Sequence, residues 1–215
     1  MSFVRCIILL FLTSALFESC KKEDELPIKV IFGSPDDAMV FNLKTFDPEI
    51  GSKSVQISQP LLGTARLVVN NTFIIYEPGN NFEHDNVIVS VDGREYAEVV
   101  FFSKDLSSDC NPFARSYKFT VKKNAELTTF PGFVDFCTYD DRKNIYLSAT
   151  DISPINGIGV GIGSGLITFF ILPEPDFVGT QELIYEVGAA PISFRGEIYE
   201  TDYLLSGLIQ LTVIE

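Results

Sequence analysis

The sequence predicts an all-β protein built from two tandem β-sandwich domains. Short runs rich in β-branched and aromatic residues recur along the chain between turn signals, the pattern of sandwich strands. Beyond the N-terminal stretch, no long segment sustains a helical period. One strand–turn–strand stretch returns later in the chain, so the fold reads as a repeat. Composition agrees: 19 Phe and 8 Tyr, against 2 Met and no Trp, suit pleated, half-buried surfaces better than helices. With 46% hydrophobic residues in a chain of 215, there is apolar material for two cores. The net charge of −13 and pI of about 4.5 repel phosphate backbones, which removes nucleic acid from the expected partners.

The first element is a targeting segment. Arg5 supplies a positive charge ahead of an apolar stretch, residues 6–17, that falls short of the ~20 apolar residues needed to span a bilayer. Ser19-Cys20 follows, then Lys21, Lys22, Glu23, Asp24 and Glu25. This arrangement resembles a bacterial lipoprotein box, in which the Cys is lipidated and becomes the mature N-terminus. It departs from the box at Phe17, where Leu is usual, and at Glu18, where a small residue is usual. The charged run after the Cys is similar to that of Bacteroidota lipoproteins exported to the outer face of the outer membrane. The resemblance implies a leader over 1–19, a lipid on Cys20, a surface-exposed outer-membrane location, and the membrane as a partner through the lipid anchor. Residues 20–27 are too charged to pack a core and read as a flexible tether.

Strands of the first domain, expected over 28–103, are read at 28–32, 39–43, 54–58, 66–69, 73–76, 87–91 and 96–102. Asn70-Asn71, the Pro78-Gly79-Asn80-Asn81 run and Asp92-Gly93 supply turns between them. The polar stretch 104–112 is the expected linker. Strands of the second domain, expected over 113–215, are read at 117–121, 133–139, 144–148, 166–172, 182–187, 192–194 and 208–214, with turns at Pro131-Gly132 and Asp140-Asp141.

The repeat aligns residues 73–91 with 169–187, placing Pro78 and Phe82 over Pro173 and Phe177 at a spacing of about 95 residues. In the first copy Pro60, Gly63-Thr64, Tyr76, Pro78, Phe82 and Val91-Asp92-Gly93 resemble the cadherin-like, Ig-like modules of large bacterial adhesins. The second copy keeps Pro154, Gly157, Pro173, Phe177, Gly179-Thr180, Tyr185 and Val187. The first copy departs at His84, where the family has Gly. The second lacks the Asp-Gly and inserts residues 188–205 instead. The resemblance implies two Ig-like sandwiches and carries little about activity.

Of four Cys, Cys6 leaves with the leader and Cys20 takes the lipid, so Cys110 and Cys137 remain as an isolated pair in an oxidising compartment. The expected state is a disulfide. On the chain-entropy model a loop of about 27 residues makes it worth roughly 3–4 kcal/mol. His84 is the sole His and is read as a surface turn residue, so no Ser-His-Asp arrangement forms. Gly157–Gly165 resembles a phosphate loop superficially, but it leads into a strand rather than a helix and is read as a flexible hairpin. Acidic residues cluster at Asp36-Asp37, at Asp140-Asp141 with Asp151, and at Glu174 with Asp176. They read first as turn residues, second as Ca2+ ligands, to which the resemblance adds weight, and last as a glycosidase carboxylate pair; no other cofactor is expected.

The insertion 188–205 places Phe194, Arg195, Tyr199 and Tyr203 outside the repeat pattern; it reads first as an extra hairpin packed on its own domain and second as a ligand patch, to which exposed aromatics with a cation are suited. The function expected is a non-enzymatic surface adhesion or scaffold module. The alternative is a carbohydrate-binding outer-membrane lipoprotein of a glycan-uptake system, so the ligand is a protein or a glycan.

Overall fold

The computed structural model describes residues 26–104, 113–132, 134–135, 145–152, 157–163, 166–189 and 204–215. The first half forms seven strands: β1 Ile28–Gly33, β2 Met39–Asn42, β3 Val55–Ile57, β4 Gly63–Val68, β5 Phe73–Pro78, β6 His84–Val91 and β7 Arg94–Ser103. They make two sheets, β1-β7-β6-β3 and β2-β5-β4, with β1 parallel to β7. Alternation decides which side chains go in. Asp85, Val87, Val89 and Val91 point inward from β6, while His84, Asn86 and Ile88 point outward. Asp92 (φ 51°) and Gly93 (φ 79°) close the β6–β7 hairpin with two left-handed residues, the turn whose twist matches the strands. The core joins Met39, Phe41, Ile74 and Tyr76 from one sheet to Val87, Val99 and Phe101 from the other, with Tyr76 stacked on Phe101 at 4.5 Å. Phe82 is buried against Tyr76 where the β5–β6 loop enters β6.

The second half repeats this order. Its strands are β8 Phe113–Ala114, β9 Tyr117–Lys122, β10 Thr128–Gly132, β11 Val134–Asp135, β12 Ile145–Asp151, β13 Ile158–Gly163, β14 Leu166–Ile171, β15 Gly179–Ala189 and β16 Leu204–Ile214. One sheet carries β12-β15-β16 with β9 parallel to β16, the other β10-β14-β13, and the short β8 pairs with β11. Ile167, Phe169 and Ile171 pack on Leu183, Tyr185, Ile209 and Leu211. First strand parallel to last, opposed by a three-stranded sheet, is the Ig-like sandwich, and it occurs twice.

Two local expectations are corrected. His84 opens β6 instead of sitting in a turn, because β6 stays in register with β7 back to the His84–Phe102 pair. Pro131 and Gly132 lie in β10, which tolerates a proline because it is the edge of its sheet. The glycine-rich stretch supplies β13, paired antiparallel along its length with β14, the two arms that a hairpin there requires.

The sandwiches are joined along a sheet. Val40 of β2 pairs with Ser206 of β16, so β4-β5-β2 continues into β16-β15-β12. A third apolar cluster lies on this junction, made of Ala38, Val40, Phe73 and Ile75 from the first sandwich and Ile184 and Leu208 from the second.

Candidate functional site

Most of the residues singled out as chemistry lie outside the described residues: Cys20, Cys110, Cys137, Asp140, Asp141, Phe194, Arg195, Tyr199 and Tyr203. Asp36 is exposed in a turn, its N–H directed at Ser34 Oγ 3.4 Å away. Asp37 accepts a bond from Arg115 Nε at 3.0 Å, across the junction. Asp176, at φ 62°, accepts from Asn124 Nδ2 at 3.3 Å and donates its N–H to Asn124 Oδ1 at 2.9 Å, so it staples one turn to another. Glu174 accepts the Phe177 N–H at its carbonyl in the same turn. Among the described residues, no three His, Cys, Asp or Glu side chains gather as a metal site.

The junction carries the densest polar network. Asn42 Nδ2 donates to Glu186 Oε1 at 2.7 Å in a buried position, and Ser206 Oγ reaches the same oxygen at 3.3 Å. Arg66 Nη2 contacts both Glu182 oxygens at 2.8 and 2.9 Å, and Gln210 Nε2 donates to Glu182 at 3.0 Å. Ser116 Oγ is buried, donates to the Ala38 carbonyl and accepts the Leu208 N–H at 2.9 Å. The Tyr185 hydroxyl donates to the Arg115 carbonyl, and burial above all pushes that phenol well above its ordinary range. At the end of β7, Lys104 donates its N–H to Gly33, and its ammonium lies 5.2 Å from the Phe113 ring centroid. Apolar contact and paired polar groups thus join the two sandwiches.

Sequence reasoning missed Asp85. Its carboxylate, 4% exposed, accepts N–H bonds from Leu61 (3.0 Å), Leu62 (2.7 Å) and Asn86 (2.9 Å) and the Tyr76 hydroxyl at 3.1 Å. Burial raises its pKa, but these donors outweigh burial and hold the carboxyl below its ordinary value. Tyr76 is shifted up by burial first, then by the Asp85 charge. The carboxylate pins the loop before β4, so the Leu61 side chain, 90% exposed, projects from a fixed backbone. The signal was an acid at an inward position of an alternating strand.

Among the described residues, two sheet faces carry exposed apolar side chains. On the outer face of β1-β7-β6, His84, Phe102 and Phe32 lie in register across three strands, with ring centroids 5.4 and 5.9 Å apart. Val30 and Ile28 extend this face along β1 and are exposed. On the outer face of β10-β14-β13, the Phe170 ring lies over Gly159 and Gly161. A Cβ on Gly161 would come 2.9 Å from that ring, and one on Gly159 would come 3.5 Å from the Phe170 Cβ.

The strand order and this junction define a tandem Ig-like module. No family model matches the chain, and no curated protein sequence matches it. Solved structures similar to it include the N-terminal Ig1-2 module of the Drosophila receptor protein tyrosine phosphatase DLAR, at 10% identity and TM-score 0.40, covering 88% of this chain and 95% of that one. The tandem Ig repeats of Dlar match at 7% identity and TM-score 0.37, over 89% and 97%. An endo-fucoidan hydrolase of glycoside hydrolase family 107 matches at 14% identity and TM-score 0.30, over 87% of this chain. The chain spans only 28–32% of the length of the endo-fucoidan hydrolases it matches.

Proposed function

We propose that this chain is a non-enzymatic, lipid-anchored surface protein whose paired Ig-like sandwiches act as a rigid adhesion or scaffold module. The observation behind it is the junction: a buried apolar cluster and a polar network hold two binding-type domains as one unit. A scaffold needs a fixed angle, and the most buried acid of the first sandwich, Asp85, serves as a backbone clamp. The anchor rests on Arg5, the apolar stretch 6–17 and Ser19-Cys20, with the charged run behind them directing the protein to the outer face of the outer membrane.

Two measurements test this reading. Fatty-acid labelling of cells should tag the natural chain and leave Cys20→Ala untagged; equal labelling of both ends the anchor. Binding of the purified chain to cell-surface proteins and to a glycan array tests the module. Protein capture lost on breaking the junction with Asn42→Ala supports a rigid scaffold. A glycan hit abolished by Phe102→Ala replaces it with the carbohydrate-binding alternative.

A further inference from the structure

One junction is already built inside the chain. The outer face of β2-β5-β4 buries Val40, Phe73 and Ile75 against Ile184 and Leu208 on the outer face of β15-β16. Both sandwiches have the same strand order, so each has one face of either kind, and the junction uses one from each. The two left over are the outer face of β1-β7-β6 in the first sandwich and that of β10-β14-β13 in the second.

Both leftover faces carry the sequence signature of the buried ones. An alternating strand expects water on one side, whereas a continuous apolar run expects cover on both. Continuous runs in β2 (Met39-Val40-Phe41) and β5 (Phe73 to Tyr76) mark strands covered on both faces by core and junction. β1 (Val30-Ile31-Phe32), the end of β7 (Val99 to Phe102) and β14 (Phe169-Phe170-Ile171) carry the same runs. Their outward side chains stay open: Ile28 is 62% exposed, Val30 40%, Phe170 38%, and Leu172, just after β14, 52%.

The positions correspond. Ile75, in the junction cluster, lies opposite Arg66 on β4 and Val40 on β2. Phe170 holds the same place, opposite Gly159 on β13 and Thr129 on β10. Ile184 of the junction corresponds to Ile88 on β6, the two being third in the inward-outward alternation after the buried Gln181 and Asp85. The Arg66–Glu182 pair has no counterpart at the corresponding positions of the leftover faces. Gly159 stands where Arg66 stands, and Asn86 where Glu182 stands, so the leftover faces are complementary in apolar surface and carry no like charges at those two positions.

We propose that these faces dock between copies of this chain, the β10-β14-β13 face of one copy on the β1-β7-β6 face of the next. The contact is heterologous, so it propagates head to tail instead of closing a dimer. Without the Arg66–Glu182 and Asn42–Glu186 pairs that orient the internal junction, it is weaker than that junction and reversible.

Sedimentation velocity of residues 21–215 at rising concentration, in physiological salt to screen the net charge, tests this. The natural sequence should gain mass steadily past the dimer. Phe170→Glu and Val100→Glu each remove one face, and each alone should stay monomeric, with association weakened at least tenfold. Mixed in equal amounts, they should pair once through their intact faces and stop at a dimer. Leu172→Glu and Val30→Glu repeat the test should either first variant lose its cooperative melt. A natural chain that stays monomeric into the millimolar range overturns the proposal. So does a dimer that survives either substitution, which indicates like-on-like pairing, or a mixture that fails to pair.

Discussion

Asp85→Asn tests the account of the first sandwich most directly. The carboxylate accepts three backbone N–H groups and a tyrosine hydroxyl while 4% exposed. An amide of the same shape keeps one acceptor oxygen and turns an NH2 toward donors, so about half of these bonds are lost. Bonds to a charged acceptor contribute roughly 1.5–3 kcal/mol each, and losing two of them, less local relaxation, gives a destabilisation of about 3 kcal/mol. In a chain of this size that lowers Tm by about 6–12 °C. Hydrogen exchange at the Leu61 and Leu62 amides should speed up before the rest of the sheet, because they lose their acceptor directly. The pH dependence has a definite sign. The folded carboxyl sits below its ordinary value of 3.8, so its stabilisation is present above that value and is lost as pH falls through the depressed folded value. Acid titration of stability should steepen below about pH 4 in the natural chain and flatten there in the variant. A variant that melts within about 1 kcal/mol of the natural chain, with Leu61 and Leu62 still protected, refutes the clamp.

Ser116→Ala removes a hydroxyl that bridges two buried backbone groups across the junction, and calorimetry should show a loss of about 1–3 kcal/mol. Asn42→Ala leaves the buried Glu186 short of its nearest donor and should cost about 2–3 kcal/mol, splitting the melt into two transitions. Arg66→Ala should cost under about 1 kcal/mol, because its ion pair is partly exposed; a larger loss would reverse their ranking. Gly63→Ala puts a Cβ 2.4 Å from the Glu77 carbonyl oxygen and 2.8 Å from the Tyr76 ring, so a loss of about 3 kcal/mol or failure to accumulate is expected in denaturant titration.

β6 and β7 were legible because they alternate cleanly: the inward set of β6 is spaced by two, and its partner β7 does the same. The repeat located both sandwiches through Pro78 at the end of β5 and Phe82 in the loop before β6, and through Pro173 and Phe177 in the loop before β15. In β10, Pro131-Gly132 was read as a turn because both are turn residues by propensity, but an edge strand accepts Pro131. In β13 the Phe170 ring over Gly159 and Gly161 fills the side-chain space that those glycines leave open. The junction escaped because its members are spread over five strands, β2, β4, β5, β15 and β16, and pairs such as Arg66 and Glu182 lie over a hundred positions apart. The trace it left was the unbroken apolar run of β2 and β5, which a sandwich with one wet face does not need.

The parallel pairing of first strand with last has a mechanical consequence. A pull on the N-terminal end of β1 against the C-terminal end of β7 runs along both strands in opposite directions. The six residue pairs from Ile28–Glu98 to Gly33–Ser103 are then loaded together, in shear, and none can peel before its neighbours. The six pairs of β9 with β16, from Tyr117–Ile209 to Lys122–Ile214, take the same load in the second sandwich. A chain held at one end and tugged at the other therefore meets tension with twelve pairs in two parallel clamps, where an antiparallel hairpin in the same place would unzip one rung at a time.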